Sequence, residues 1–359
     1  MEKLVSVEKI YNLMQDVFVK LGVPKDDAKI CADVLIASDL RGIRSHGIGR
    51  LKMYYDRIRD GIQNPITNIE VIKDFNAIAV LDGNNGMGQV VSYNAMQMAI
   101  DKAKKFGIGS VAVRNSNHFG IAGFYSKMAI DQNMMGMAFT NARPSVAPIF
   151  GVQPMFGTNP IAFGAPSDEN FPFLYDAATT IVQRGKIEVL NRENKSTPEG
   201  WVVDKFGKPN TETKKIMNDF LKQNASLISL GGREEKSGGH KGYGLATIVE
   251  ILSAALQQGS ILHQLSGIDE GKKVSMKVGH FFMAINIEAF TSISKFKQLI
   301  GEIIRGLKNS KKEPGKEKIF VAGEKEYLSE IKVRNNGIPI NENLQKNIDI
   351  MTKELGIEF

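Results

Sequence analysis

The chain has 359 residues, enough for about two domains at roughly 150 residues each, and its 42% hydrophobic and 24% charged content excludes wholesale disorder. Forty-six Lys+Arg against 39 Asp+Glu leave a net charge of +7. That charge is dispersed, densest in Lys308 to Lys318, which disfavours a nucleic-acid stripe or a basic anion-binding module. Cys31 is the only cysteine, so an intrachain disulfide framework or thiolate metal cluster is excluded. No apolar run approaches the ~20 residues a bilayer span needs. The expectation is a soluble, cytoplasmic enzyme of metabolism.

The first 61 residues read as helical. Ser6 can cap a helix with Ile10, Leu13, Met14, Val17, Phe18 and Leu21 at helical spacing, ended by Gly22. Pro24, Asp26 and Asp27 suit the start of a second helix closed by Gly42. A third runs from about His46 to Gly61, with Ile48, Leu51, Tyr55 and Ile58 on one face. The period then shortens. Ile69 to Ile72 and Ala77 to Leu81 read as strands, and the turn Gly83 to Gly88 leads into a helix over 89–106. Strands are expected at 110–114, 134–139, 161–164 and 171–175, with a helix over 121–131. Residues 184–238 read as excursions and loops. Helices at 243–257, 295–308 and 341–355 and a strand at 280–287 complete a pattern that predicts an α/β sheet covered on both faces. Residues 1–70 are expected to pack with 305–359, leaving 71–304 as the cofactor- and substrate-binding core.

Several segments carry candidate chemistry. The Gly83 to Gly88 turn has G-x-x-G-x-G spacing, and Arg114 stands where a conventional dinucleotide fold ends its next strand in an acid, so a conventional Rossmann site is not supported. In Ser45-His46-Gly47-Ile48-Gly49-Arg50, a helix from residue 46 would put His46 and Arg50 on one face. An imidazole beside a guanidinium supplies a base for a hydroxyl proton and a fork for a carboxylate; a plain surface pair is the competing reading. Asn115 to Gly120 follows a strand and precedes a helix, where α/β proteins place ligands, although Asn and Ser also cap helices there. Gly157-Thr158-Asn159-Pro160 and Asp176 to Thr180 fit turns and caps as well as sites. Gly238 to Gly242, with Lys241, opens a helix that could receive a phosphate or act as a hinge. Nothing in the sequence has catalytic metal spacing.

These motifs, in this order over residues 3 to 355, resemble the malate/L-lactate dehydrogenase-like family. It also includes sulfolactate, ureidoglycolate and diketogulonate oxidoreductases and cyclic-imine carboxylate reductases. The runs Gly107 to Gly123 and Arg143 to Pro160 are most similar to its malate-acting branch. The resemblance implies a three-layer α/β/α fold with a mixed sheet, a non-Rossmann cofactor site and a helical N-terminal segment. It implies a homodimer that uses NAD or NADP, without a metal, to interconvert malate and oxaloacetate, with other 2-hydroxy or 2-imino acids (lactate, sulfolactate, ureidoglycolate, cyclic imines) as alternatives. His46 would then be the proton donor and acceptor with Ser45 as its relay. His118 is the alternative, since some members use the matching histidine. Arg50 would bind the carboxylate and Thr158 would contact substrate. The dinucleotide would lie against His118, Phe119, Gly120, Ile121 and Ala122, Ala142-Arg143-Pro144, Asp176-Ala177-Ala178, Lys241 and Gly323. Arg184 departs from an apolar position of the family, a change bearing on substrate or cofactor preference.

Overall fold

The computed structural model describes residues 2–359. A short strand, β1 (Lys3–Val5), precedes three helices, α1 (Val7–Lys20), α2 (Lys25–Leu40) and α3 (Ile48–Arg59). Next come β2 (Glu70–Phe75), β3 (Ile78–Asp82), α4 (Gly88–Phe106), β4 (Ile108–Ser116), α5 (Ala122–Ile130), β5 (Met134–Thr140), β6 (Ile161–Ala165) and β7 (Phe173–Ala177). A smaller lobe holds α6 (Arg184–Arg192), β8 (Val202–Asp204), α7 (Thr213–Leu221) and β9 (Ala225–Leu227). Helix α8 (Gly239–Glu250) runs on into a π-helical turn, Ile251–Ala255, and then β10 (Ile268–Asp269), β11 (Lys272–Lys273) and β12 (Val278–Asn286). The chain finishes with α9 (Ile293–Asn309), α10 (Glu324–Asn336), β13 (Ile338–Ile340) and α11 (Glu342–Leu355).

The main sheet has the order β2-β3-β4-β12-β5-β6-β7. Its β3–β4 pair is parallel, joined through α4, and the other pairs are antiparallel. This is the mixed α/β sheet expected, and not the parallel sheet of a Rossmann domain. Alternation along the central strands faces one set of side chains to each helical layer. Val111 and Val113 of β4 and Phe282 and Ala284 of β12 pack with Val91, Ala95 and Ala99 of α4 and Tyr125 of α5. Ala112 and Phe281, one residue out of phase, meet Val249 of α8 on the opposite face.

A second core joins the two ends of the chain. Ser6 caps α1 by accepting from the Lys9 N–H (3.2 Å), and the stripe Ile10, Leu13, Met14, Val17 and Phe18 packs on α2 and α3. Into the same core come Ile338 and Ile340 of β13, which pairs antiparallel with β1, and Ile348 and Met351 of α11.

Three expectations need correction. Helix α3 starts at Ile48, so His46 lies in the turn before it and shares no helical face with Arg50. The buried carboxylate of Asp39 on α2 accepts the Ile48 N–H (2.7 Å) and sets that start. A Cβ at Gly47 would lie 2.0 Å from the same carboxylate, so the turn requires glycine. Residues 184–238 are largely turns and loops, as expected, but they also hold two short helices and a two-stranded sheet that the sequence reading did not place, packed around Ile187, Val202, Ile216, Phe220 and Leu227. Helix α10 was not foreseen. It is capped at Gly323, which has φ 93°, and shows almost no apolar stripe.

Candidate active site

The turn ahead of α3 and the loop after β4 meet, and each is braced by polar groups far away in sequence. Asp82 at the end of β3 accepts from Arg114 Nε (2.8 Å) and Asn115 Nδ2 (2.7 Å). The glycine-rich turn adds Asn117 Nδ2 donating to the Asn85 and Gly86 carbonyls (3.1 and 2.9 Å). These contacts occupy the Asn85–Gly86 part of the turn in holding the 114–117 segment.

His118 follows directly. Its ring lies 5.4 Å from that of His46, nearly parallel at 19°. Ser45 Oγ is 2.8 Å from His46 Nδ1. Arg50 Nε donates to the Ser45 carbonyl (3.0 Å), which ties the guanidinium to the turn carrying His46. Arg50 thus reaches the His46 turn through a bond to its backbone, in place of the shared helical face expected from the sequence. Tyr54, a buried residue one turn beyond Arg50, places its hydroxyl 2.5 Å from His118 Nδ1. The Gly120 N–H also donates to His118 Nδ1 (3.3 Å), so that atom is an acceptor and the ring proton sits on Nε2.

Both histidines are held neutral. Burial, reinforced by Arg50, lowers the His46 pKa to about 3. Burial, with His46, Arg50 and Arg57 adding to it, keeps His118 well below the usual histidine range. Next to them Phe119 stacks on His280 at 4.6 Å and 3°.

The other sequence candidates connect to this centre to different degrees. Ile121 precedes α5 and Ala122 begins it. The Gly123 N–H donates to Asp176 Oδ2 (2.7 Å), joining the 118–122 segment to Asp176 at the end of β7, with Ala177 and Ala178 following. Burial raises the Asp176 pKa to about 6 against the lowering effects of that hydrogen bond and of Arg41. Thr158 lies beside that strand end, since its carbonyl accepts the Thr179 N–H (3.0 Å). Gly185 abuts Ser45, bringing the start of α6 and Arg184 to the His46 turn. Arg184 Nε itself contacts Glu188 Oε1 (3.2 Å). Ala142, Arg143 and Pro144 follow β5, and Asn141 before them accepts the Gly279 N–H (2.9 Å). Arg143 makes no ion pair among the described residues, and burial together with Arg184 lowers its pKa. Two candidates stand apart. Lys241 is exposed in the first turn of α8, and Gly323 packs on the Pro172–Leu174 backbone. Sequence reasoning missed Asp39, Tyr54 and Arg57; the i+4 and i+7 spacing of the last two from Arg50 was the available signal.

The family model for malate/L-lactate dehydrogenase matches residues 5–349. A malate dehydrogenase of Pyrococcus abyssi is 44% identical over 351 residues, covering 98% of this chain and 94% of that protein. An L-sulfolactate dehydrogenase of Methanocaldococcus jannaschii is 40% identical over 364 residues, covering 99% and 98%. The crystal structure of malate dehydrogenase from Entamoeba histolytica aligns with a TM-score of 0.97 at 42% identity, covering 100% of this chain and 99% of that one. Mixed sheet, paired histidines and these likenesses together define an oxidoreductase. The chain belongs to the malate/L-lactate dehydrogenase family.

Proposed function

We propose that the protein interconverts malate and oxaloacetate with NAD or NADP, as a cytoplasmic homodimer. The observation carrying this reading is the pair His46 and His118 beside an Arg50 tethered to the same turn. Two neutral imidazoles and a guanidinium are what a 2-hydroxy acid needs for its hydroxyl proton and its carboxylate. Relatives named as malate dehydrogenases support the choice of acid.

A bound nicotinamide supplies or takes the hydride. The residues that would hold the dinucleotide near the paired histidines are His118 to Ala122, Ala142 to Pro144 and Asp176 to Ala178, with Lys241 and Gly323, which stand apart from them, left for its far end. The donor set fits: α5 turns its N-terminal end toward this region, and Arg143 and Lys241 make no ion pair among the described residues. In this reading Arg50 takes the carboxylate next to the reacting carbon, with Thr158 and Arg184 completing the surroundings. In the oxidising direction His46 Nε2 receives the hydroxyl proton while its Nδ1–H donates to Ser45 Oγ. His118 presents Nε2–H to the same oxygen and steadies it as charge develops. An arriving carboxylate offsets the charge of Arg50, so His46 regains basicity when substrate is present.

The dimer is supported by an exposed apolar strip, Leu245, Ile248, Ile251 and Leu256, along α8 and the turn after it. Sedimentation would read the assembly directly. A reducing cytoplasmic setting is supported by the buried lone thiol of Cys31. To test the reaction, 2-oxo acids are assayed with NADH and with NADPH. Oxaloacetate is expected to give the highest kcat/KM, and a higher value for pyruvate or sulfopyruvate would reassign the substrate. Sulfolactate is the second reading, favoured by the 40% identical sulfolactate dehydrogenase.

A further inference from the structure

Helix α3 carries a second arginine that the mechanism above leaves unused. Residues 50, 54 and 57 are spaced i, i+4, i+7 and so share one face. Tyr54 in the middle is bonded to His118, so the face that bears Arg57 is the face turned to the paired histidines. The Arg57 side chain is withdrawn from solvent at its tip: Nη1 is fully buried and has no hydrogen-bond partner. Nη2 has only the Met276 thioether, at 3.8 Å, which is a weak acceptor.

Its charge is also uncompensated. Arg44, Arg59, Arg114, Arg184, Arg305 and Arg334 each pair with a carboxylate. Among the described residues Arg57 pairs with none, and its charged neighbours include Arg50 and Arg143, both cations. A guanidinium removed from water without a counter-ion is costly, and truncating or pairing it is the ordinary remedy. This chain instead sets it beside another unpaired guanidinium, an arrangement that becomes favourable once an anion arrives.

We propose that Arg57 is a specificity-determining residue that receives the second anionic group of the substrate, so that the site prefers four-carbon dicarboxylates and other two-ended anions to monocarboxylates. This rests on the reading of Arg50 and His46 given above and adds the distal half of the substrate. Two turns of helix set Arg50 and Arg57 apart along the axis, on the face that Tyr54 turns to His118, so one arginine can meet each end of a two-ended anion. A three-carbon monoacid held by Arg50 leaves Arg57 unpaired.

The test compares kcat/KM for oxaloacetate and pyruvate in the full-length enzyme and in Arg57→Met and Arg57→Lys. Loss of one charge-assisted contact predicts that Arg57→Met lowers the oxaloacetate-to-pyruvate ratio roughly 10- to 100-fold. Arg57→Lys, which keeps the stem and the charge and guards against loss of fold, should give an intermediate ratio. An equal fall with both acids would show Arg57 to be merely structural, and a raised KM for NADH with an unchanged ratio would assign it to the cofactor; either overturns the proposal. The unsubstituted enzyme separates the two levels of inference. If it reduces neither acid, the reading of the site fails. If it reduces pyruvate as well as oxaloacetate, that reading stands and the role of Arg57 falls.

Discussion

The rings of His46 and His118 lie face to face, 5.4 Å apart, although one belongs to the turn before α3 and the other to the loop after β4. The environments of the two rings differ: His46 Nδ1 meets a hydroxyl that can donate or accept, whereas His118 Nδ1 receives a backbone N–H. In the proposed mechanism His46 therefore exchanges the proton and His118 donates through Nε2. His46→Ala should lower turnover by about 10² or more, in line with lost acid–base catalysis. His118→Ala should cost less and leave the pH profile of turnover in place. A profile that flattens on replacing His118, with His46→Ala fully active, would exchange the two roles.

Tyr54→Phe removes the hydroxyl donor to His118 while keeping the buried ring. With the Gly120 N–H still in place, a drop in kcat of about 5- to 10-fold is expected, the worth of one neutral hydrogen bond, with little change in melting temperature. Unchanged kcat would mean that Tyr54 only fills space.

Asp39 gives a pH signature. Burial raises its pKa to about 7 in the folded protein, against an ordinary value of 3.8. Between about pH 4 and 7 the folded state then holds a proton that the unfolded chain releases, so this residue makes stability fall as pH rises, by up to about 1.4 kcal/mol per pH unit. Urea unfolding of Asp39→Asn across that window should lack this component. An identical pH dependence in both proteins would refute the linkage. Gly47→Ala, which pushes a methyl into the same carboxylate, should lower both melting temperature and activity.

His280 acts in the opposite sense. It is wholly buried between Thr140 Oγ1 (2.8 Å from Nδ1) and Ser116 Oγ (2.9 Å from Nε2), and burial lowers its pKa to about 3. The unfolded chain binds a proton here from about pH 6.5 downward that the folded chain refuses, so its contribution to stability is lost on acidification through that range. His280→Gln should soften the acid limb of the unfolding curve. A limb that stays as steep would place its origin in other groups.

The parts of the fold legible in the sequence were those set by neighbours along the chain. Ser6 with Leu13 and Val17 announces α1, and the out-of-phase Val111, Ala112 and Val113 announce a strand covered on both sides. The start of α3 was not legible, because the carboxylate that sets it comes from α2. His46 accordingly falls in a turn, and its link to Arg50 runs through the Ser45 carbonyl. In residues 184–238 the core side chains Ile187, Ile216 and Phe220 sit in short helices with no long apolar run around them and become a core only when α6 and α7 meet. Helix α10 shows little apolar periodicity: Glu324, its one buried residue, pairs with Lys308 at 2.8 Å, and Tyr327 and Val333 pack, half-buried, against two different cores. At the site, motif residues were visible as small polar clusters, while Tyr54 and Arg57 looked like ordinary helix positions until His118 was placed beside them.

The core shared by α1–α3, β13 and α11 bears on how the protein is made. Glu354 of α11 bonds Tyr55 and Arg59 of α3, and among the described residues β1 pairs with β13 alone. A ribosome adding roughly 5–20 residues per second delivers those partners on the order of ten seconds or more after α3 has emerged. During that interval α1 to α3, which flank the turn bearing His46, remain without their closing strand and exposed to chaperones and proteases, and this core closes only after β13 and α11 have been made.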